Sequence, residues 1–370
     1  MNEEFLASMH EAMKALQTAG PLEATALIQR ALGRQSGNAF QTKVAPAQVV
    51  QNLLENNTVE ATTVLETSRP AASRTEYAAK ARGTEVGHFS AGRFACAAGS
   101  RHYKLYRPGT SASRPMPLVV MLHGCTQNAD DFAAGTRMNA LADEMGFAVL
   151  YPIQPAEANH SKCWNWFRPG DQAANAGEPA IIAGMTRDVI AANCIDPDRV
   201  YVAGMSAGGA MAAVVAQCYP ELFAAVGVHS GLPVGCAHDL PSALGAMKGG
   251  TGIPGRRKAT EPTGATPQRP IIVFHGDADA TVHRVNGDRL IAPYALHQVR
   301  TQVERGTTPA GRSFTRKLIT TASGVDAEYW TIHGAGHAWS GGDAAGSYTD
   351  VKGPVASEAM LRFFLAHPRK

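Results

Sequence analysis

The chain has 370 residues, 45% hydrophobic and 18% charged, with a formal net charge of +3. That length buries a large core and suits one α/β domain with an appendage better than two equal domains. The small charge argues against a nucleic-acid partner, and no apolar run reaches the length of a membrane-spanning helix. The six cysteines (Cys96, Cys125, Cys163, Cys194, Cys218 and Cys236) form no C-x-x-C pair, which speaks against a zinc ribbon or a thioredoxin-like site. Buried free thiols and disulfides both stay open.

The opening Met1-Asn-Glu-Glu-Phe-Leu6 lacks the basic stretch, apolar core and small-residue cleavage site of a secretory signal, so the residues alone predict a chain that stays inside the cell. Residues 2–32 read as two helices. Phe5, Leu6, Met9, Met13 and Leu16 share one face, Gly20-Pro21 breaks the run, and Leu22, Leu27, Ile28 and Leu32 continue it to Gly33. Residues 1–33 are therefore expected to form a helical hairpin packed on the main domain, or an amphipathic anchor for a lipid or polymer surface. The acids Glu3, Glu4 and Glu11 weaken attraction to an anionic surface. Residues 34–83, rich in Gln, Asn, Thr, Ala and Ser, read as a linker with one short helix near Ala45–Leu54.

From residue 84 to residue 370 the pattern is that of an α/β domain. Thr84–Ser90 and His102–Tyr106 read as strands, and Leu118-Val-Val-Met-Leu122 as a central parallel strand buried on both faces. A helix over Ala129–Met145, capped near Asn128, leads to a strand at Phe147–Tyr151. A helix over Pro179–Asn193 precedes the strand of Val200 and Val202. Further strands fall at Phe223–Val228, Ile271–Phe274 and Ala327–Ile332, and a last helix at Val355–Leu365. Strands alternating with helices predict a mostly parallel, doubly wound sheet with helices on both faces. Residues 241–270, with six glycines and five prolines, read as a long loop.

The chemistry centres on Gly204-Met-Ser206-Ala-Gly208. The strand before it and the Ala-Met-Ala-Ala-Val-Val helix after it supply the setting of a nucleophile elbow, in which a serine on a sharp strand-to-helix turn projects its oxygen clear of the backbone. The Ala207 amide, at the helix N-terminus, points where an oxyanion would form. A serine needs a base and the base an orienter, and in an α/β-hydrolase these follow in the order serine, acid, histidine. The acid is expected at Asp279, in the loop after Ile271–His275, with Asp277 as the other candidate. The base is expected at His337, in the glycine-rich loop after Trp330–His333. His333 at the strand end reads as a core imidazole, and His283 follows the acid too closely. The second oxyanion donor is expected at the Cys125 amide, after the Leu118–Leu122 strand, with His123 fixing that loop by hydrogen bonding. A metal site built from His123, His275 and His337 has no ligand spacing to support it.

The runs Leu122-His-Gly-Cys-Thr-Gln127, Cys163-Trp-Asn-Trp-Phe167, Gly177-Glu-Pro-Ala180 and Asp196-Pro-Asp-Arg-Val-Tyr-Val-Ala-Gly-Met-Ser-Ala-Gly-Gly-Ala-Met211 resemble the poly(3-hydroxybutyrate) depolymerase family of esterases, over about residues 85–366. The resemblance implies an α/β-hydrolase fold, no cofactor, and ester hydrolysis through an acyl-serine. It implies Ser206, Asp279 and His337 as nucleophile, acid and base. It also implies a disulfide between Cys125 and Cys163 that ties the oxyanion loop to the aromatic segment. Trp164, Trp166, Phe167 and Trp339 are the expected walls of the acyl site, the core being the other place for such rings. The resemblance points to an extracellular protein, with a cytoplasmic one as the alternative, since secreted members of the family carry a signal peptide and a polymer-binding module, neither of which is legible here. Soluble esters, short oligomers or amorphous granules are then the expected substrates. Feruloyl and acetylxylan esterases share the fold and triad. A granule- or surface-binding protein with a vestigial hydrolase site is the reading from another class.

Overall fold

The computed structural model describes residues 87–109, 115–250 and 269–369. The expected N-terminal hairpin, the linker and most of the 241–270 loop lie outside the described residues.

The described residues build one ten-stranded sheet and a two-stranded ribbon. Its middle is the run β4 (Ala148–Pro152), β3 (Met116–Leu122), β5 (Ile195–Met205), β6 (Ala225–His229), β7 (Ile271–Gly276) and β10 (Asp326–Ile332), in that spatial order and all parallel. Period-two alternation with burial on both faces explains why β3 is apolar throughout. Leu118, Val120 and Leu122 pack on one face and Val119 and Met121 on the other, all fully buried. The first face is covered by α3 (Gly177–Ala192), α4 (Ala207–Cys218), α5 (Leu240–Met247) and α6 (Val285–Leu296). The second is covered by α1 (Ala129–Thr136), α2 (Met138–Met145) and α7 (Ala356–Leu365). A mixed α/β sheet with helices on both faces is thus present.

The edges depart from the expected pattern. β1 (His88–Cys96) and β2 (Gly99–Arg107) form an antiparallel hairpin, and β2 joins β4 antiparallel. On the far edge β9 (Ser313–Thr321) runs antiparallel to β10 and pairs with β8 (Gln298–Thr307). The sequence reading passed over β8 and β9. Three helices were also read differently. The expected Ala129–Met145 helix breaks at Arg137, whose φ of 54° ends α1 and starts α2. α5 occupies the start of the segment read as a loop, opened by a capping box in which Asp239 accepts from the Ser242 amide. α6, with Pro293 inside it, lies outside the expected helices.

Candidate active site

Ser206 sits between the end of β5 and the start of α4 with φ 56° and ψ −121°, a conformation that costs a non-glycine residue about 1–3 kcal/mol. The surroundings enforce it. The Ser206 amide donates to the His229 carbonyl at 2.9 Å, and the Ser206 carbonyl accepts from the Ala210 amide at 2.9 Å. The glycine two residues on is demanded by proximity. A Cβ on Gly208 would lie 2.0 Å from the Leu122 carbonyl oxygen and 2.5 Å from that of His123, so α4 presses directly on the end of β3. Ala207 opens α4, where an amide has no acceptor within its own helix.

The loop after β3 lies against this turn. A Cβ on Gly124 would be 3.6 Å from Ser206 Cβ. His123 is buried and holds the loop with both ring nitrogens. Its Nδ1 donates to the Gly124 carbonyl at 2.7 Å, and its Nε2 accepts from the Gln154 amide at 3.1 Å. Burial pushes this imidazole down to about 4, so it stays neutral. Cys125 is disulfide-bonded to Cys163, and the Thr126 amide donates to the Ser161 carbonyl at 2.7 Å.

Asp279 follows β7 and His337 follows β10, on neighbouring strands. The Asp279 Oδ2 accepts from His337 Nδ1 at 2.7 Å, while its Oδ1 accepts from the amides of Thr281 (2.9 Å) and Val282 (2.8 Å). Burial alone would raise this carboxyl. The bond and charge of His337 and the Val282 amide outweigh it and hold Asp279 below its ordinary range. The proton on Nδ1 leaves His337 Nε2 as the basic nitrogen. The two loops are stitched by the Asp277 amide to the Ile332 carbonyl and the Ala278 amide to the Ala335 carbonyl, both 3.1 Å.

The other candidates pair elsewhere. Asp277 Oδ2 accepts from His333 Nδ1 at 2.8 Å and Oδ1 from the Gly334 amide at 2.6 Å, a second Asp–His pair beside the first. His333 is exposed, not the core imidazole expected, because its strand end opens to solvent. His283 is exposed, with Nδ1 accepting from the Val285 amide. His275 is buried and donates from Nε2 to the Val282 carbonyl at 2.8 Å. Among the described residues no three His, Cys, Asp or Glu side chains gather to hold a metal ion.

Comparison with known proteins gives this arrangement its family. The family model described as Esterase PHB depolymerase matches residues 101–311, more than half of the chain. The chain belongs to the Esterase PHB depolymerase family. Poly(3-hydroxyalkanoate) depolymerase C of Paucimonas lemoignei is 36% identical over 230 residues, 60% of this chain and 54% of that protein, so the chain spans about half the length of that relative. Feruloyl esterase B of Neurospora crassa is 30% identical over 272 residues, 70% of this chain and 86% of that protein. The acetyl xylan esterase of Aspergillus awamori superimposes with a TM-score of 0.53 at 24% identity, covering 67% of this chain and 94% of that one. The fold is that of the α/β-hydrolase esterases. The match to the PHB depolymerase model ends before His337, so the pairing of that histidine with Asp279 is supplied by the structure.

Within this PHB depolymerase-family site the aromatic residues take unexpected places. Trp164 is fully buried and donates from Nε1 to the His123 carbonyl at 3.1 Å. Trp339 is buried between the His229 ring (5.0 Å, stacked) and the Phe132 ring (5.5 Å, edge-on), its Nε1 donating to Ser357 Oγ. Neither offers surface to a substrate; both are core pillars under the loops. Trp166 is nearly buried and meets Phe167 edge-on, leaving Phe167 the most accessible of the four.

Sequence reasoning missed the groups that hold these loops. Buried Glu178 accepts from the Asn165 amide and Nδ2 (both 2.7 Å), from Gln154 Nε2 and from Arg101, and so fixes the Cys163–Phe167 segment. Its place in the Gly177-Glu-Pro run was the available signal. His229 was also missed. Its ring accepts at Nε2 from the Ser340 amide at 3.0 Å while its carbonyl holds Ser206. Burial pushes its imidazole down to about 3.

Proposed function

We propose that this protein is a serine esterase that hydrolyses poly- or oligo(3-hydroxybutyrate) and related short-chain esters through an acyl-serine intermediate. The observation that carries the reading is the 2.7 Å bond from His337 Nδ1 to Asp279 in a chain whose elbow serine lies within the family match. His337 Nε2 takes the proton of Ser206 as its oxygen attacks the ester carbonyl. The amides of Cys125 and Ala207 receive the oxyanion. The imidazolium, steadied by the Asp279 carboxylate, returns the proton to the departing alkoxide. Water then repeats the cycle on the acyl-serine and frees the acid. The hydroxyacyl group is inferred from the depolymerase relative, and Phe167 is the proposed wall for it.

Relatedness to feruloyl esterase B over most of that protein's length supports a second reading, an esterase for aromatic acids on plant polysaccharide. Initial rates on amorphous poly(3-hydroxybutyrate) granules and on methyl ferulate separate the two, with Ser206→Ala as the blank. Hydroxybutyrate release without ferulate release is the expected outcome, and the reverse selects the second reading. Near-wild-type turnover by Ser206→Ala removes the serine mechanism. Attachment to granules through residues 1–33 is a further part of the proposal. A variant lacking residues 1–80 is expected to keep soluble-ester activity but to lose co-sedimentation with granules, and unchanged co-sedimentation rejects the attachment.

A further inference from the structure

We propose that Tyr348 is a substrate-contacting residue of the cleft, its exposed ring taking the uncharged aliphatic hydroxyacyl unit next to the ester being cleaved. The proposal rests on the esterase reading of the Ser206 site.

Tyr348 lies on the segment that returns from β11 (Trp339–Ser340) to β12 (Thr349–Asp350), and 47% of it is exposed. Its φ is 53°, and the residue it touches, Thr126, has φ 66°. Left-handed backbone at a bulky aromatic and at a β-branched residue is costly, and such outliers persist only where their surroundings over-determine them. Here they do. The Ser347 amide donates to Asp131 Oδ1 at 2.8 Å, and Gln127 Nε2 donates to the Ser347 carbonyl at 3.2 Å. The Tyr348 carbonyl accepts from the Trp339 amide at 2.6 Å. A Cβ on Gly346 would lie 2.4 Å from the Gly135 backbone nitrogen, so the segment is pressed onto α1.

All of this fixes the backbone, while 47% of the residue stays exposed. Only the tip is tied. Thr126 Oγ1 donates to the Cys125 carbonyl at 2.6 Å, so at 3.1 Å the Tyr348 hydroxyl donates to Thr126 Oγ1. The ring therefore stands beside the residue whose amide is the proposed oxyanion donor, while its main chain is bonded two residues past His337. It joins the loop of Cys125 to the segment that follows His337 while about half of its surface stays exposed. A rigid, uncharged aromatic face suits methyl-bearing aliphatic repeats, which it contacts at low entropic cost.

The test uses a 3-hydroxybutyrate trimer and p-nitrophenyl acetate, which carries no neighbouring hydroxyacyl unit. Tyr348→Ala is expected to raise KM for the trimer about three- to tenfold, the scale of one aromatic contact. Its rate on p-nitrophenyl acetate should stay within about twofold. Tyr348→Phe keeps the ring and is expected to keep the trimer KM. Equal losses on both esters, no loss on either, or a Tyr348→Phe variant as impaired as Tyr348→Ala overturns the proposal, the last by showing that only the tie to Thr126 matters. A wild type that cleaves p-nitrophenyl acetate and not the trimer also overturns it. Retained activity in Ser206→Ala instead removes the nucleophile reading, and a trimer-selective KM change stands independently of that result. If the wild type cleaves neither ester, the esterase reading falls and this proposal with it.

Discussion

Asp279 uses every acceptor position that the fold offers it. One oxygen takes two loop amides and the other takes His337. In Asp279→Asn the carbonyl oxygen satisfies the Thr281 and Val282 amides, which turns the new NH2 toward His337. The imidazole must then accept at Nδ1 and carry its proton on Nε2, the wrong nitrogen for a base. We expect kcat on p-nitrophenyl acetate to fall by about three to four orders of magnitude with the near-ultraviolet circular dichroism unchanged. A loss under tenfold would sink the assignment of Asp279. The proposed serine, acid and histidine stood out in the sequence because such chemistry fixes its neighbours: small residues about the serine, a strand before the acid, glycines about the histidine. The aromatic walls were not. A tryptophan near a motif reads the same whether its ring faces the cleft or, like Trp164 and Trp339, supports the loop from beneath. Tyr348 and Thr126 carry no sequence mark of their left-handed backbone.

At the scale of elements, the contact between α4 and the end of β3 decides whether the elbow and the oxyanion loop stay in register. Gly208→Ala places a methyl 2.0 Å from one backbone oxygen and 2.5 Å from another, and neither can swing aside as a side chain could. We expect it to destabilise the protein by roughly 3 kcal/mol or more and to abolish activity. Gly245→Ala, inside α5 with nothing within 4 Å of the added carbon, is the contrast and should be neutral or stabilising by up to about 1 kcal/mol. Urea denaturation of both variants checks the pair, and equal stabilities would contradict the close approach. The parallel strands were readable because burial on both faces leaves mostly apolar residues. β8 and β9 were not, since β8 is a largely solvent-exposed edge and its run Gln298-Val-Arg-Thr-Gln-Val-Glu-Arg lacks a buried face. Nor does a non-glycine helix stop such as Arg137 announce itself.

Taken whole, the domain carries three buried imidazoles held neutral by burial, His123, His229 and His275, and these set its response to acid. His123 and His229 have folded values of about 4 and about 3, against 6.5 for a free imidazole. Below 6.5 the unfolded chain binds protons that the folded chain refuses, so stability is full above that value and falls as pH drops toward 4 and 3. Three such groups, His275 shifted in the same direction, give a slope of up to about 4 kcal/mol per pH unit. Asp196, Asp277 and Asp279, held below 3.8, withdraw their contribution only at lower pH, and Glu178, held above 4.5, opposes the trend. Urea midpoints should fall between pH 6.5 and pH 4, and His229→Gln should flatten part of that slope. A flat profile over that range would contradict neutral burial. The order of the sheet has a further consequence, in time. β8 and β9 precede β10 in the chain, yet β10 lies between β7 and β9. The strand that delivers His337 therefore enters a slot whose walls are made before it. During synthesis, a nascent chain carries its serine for more than a hundred residues of growth before any base can reach it. If His337 is the base, as proposed, the growing polypeptide stays chemically silent, and hydrolytic competence arrives in one late step, when that slot is filled.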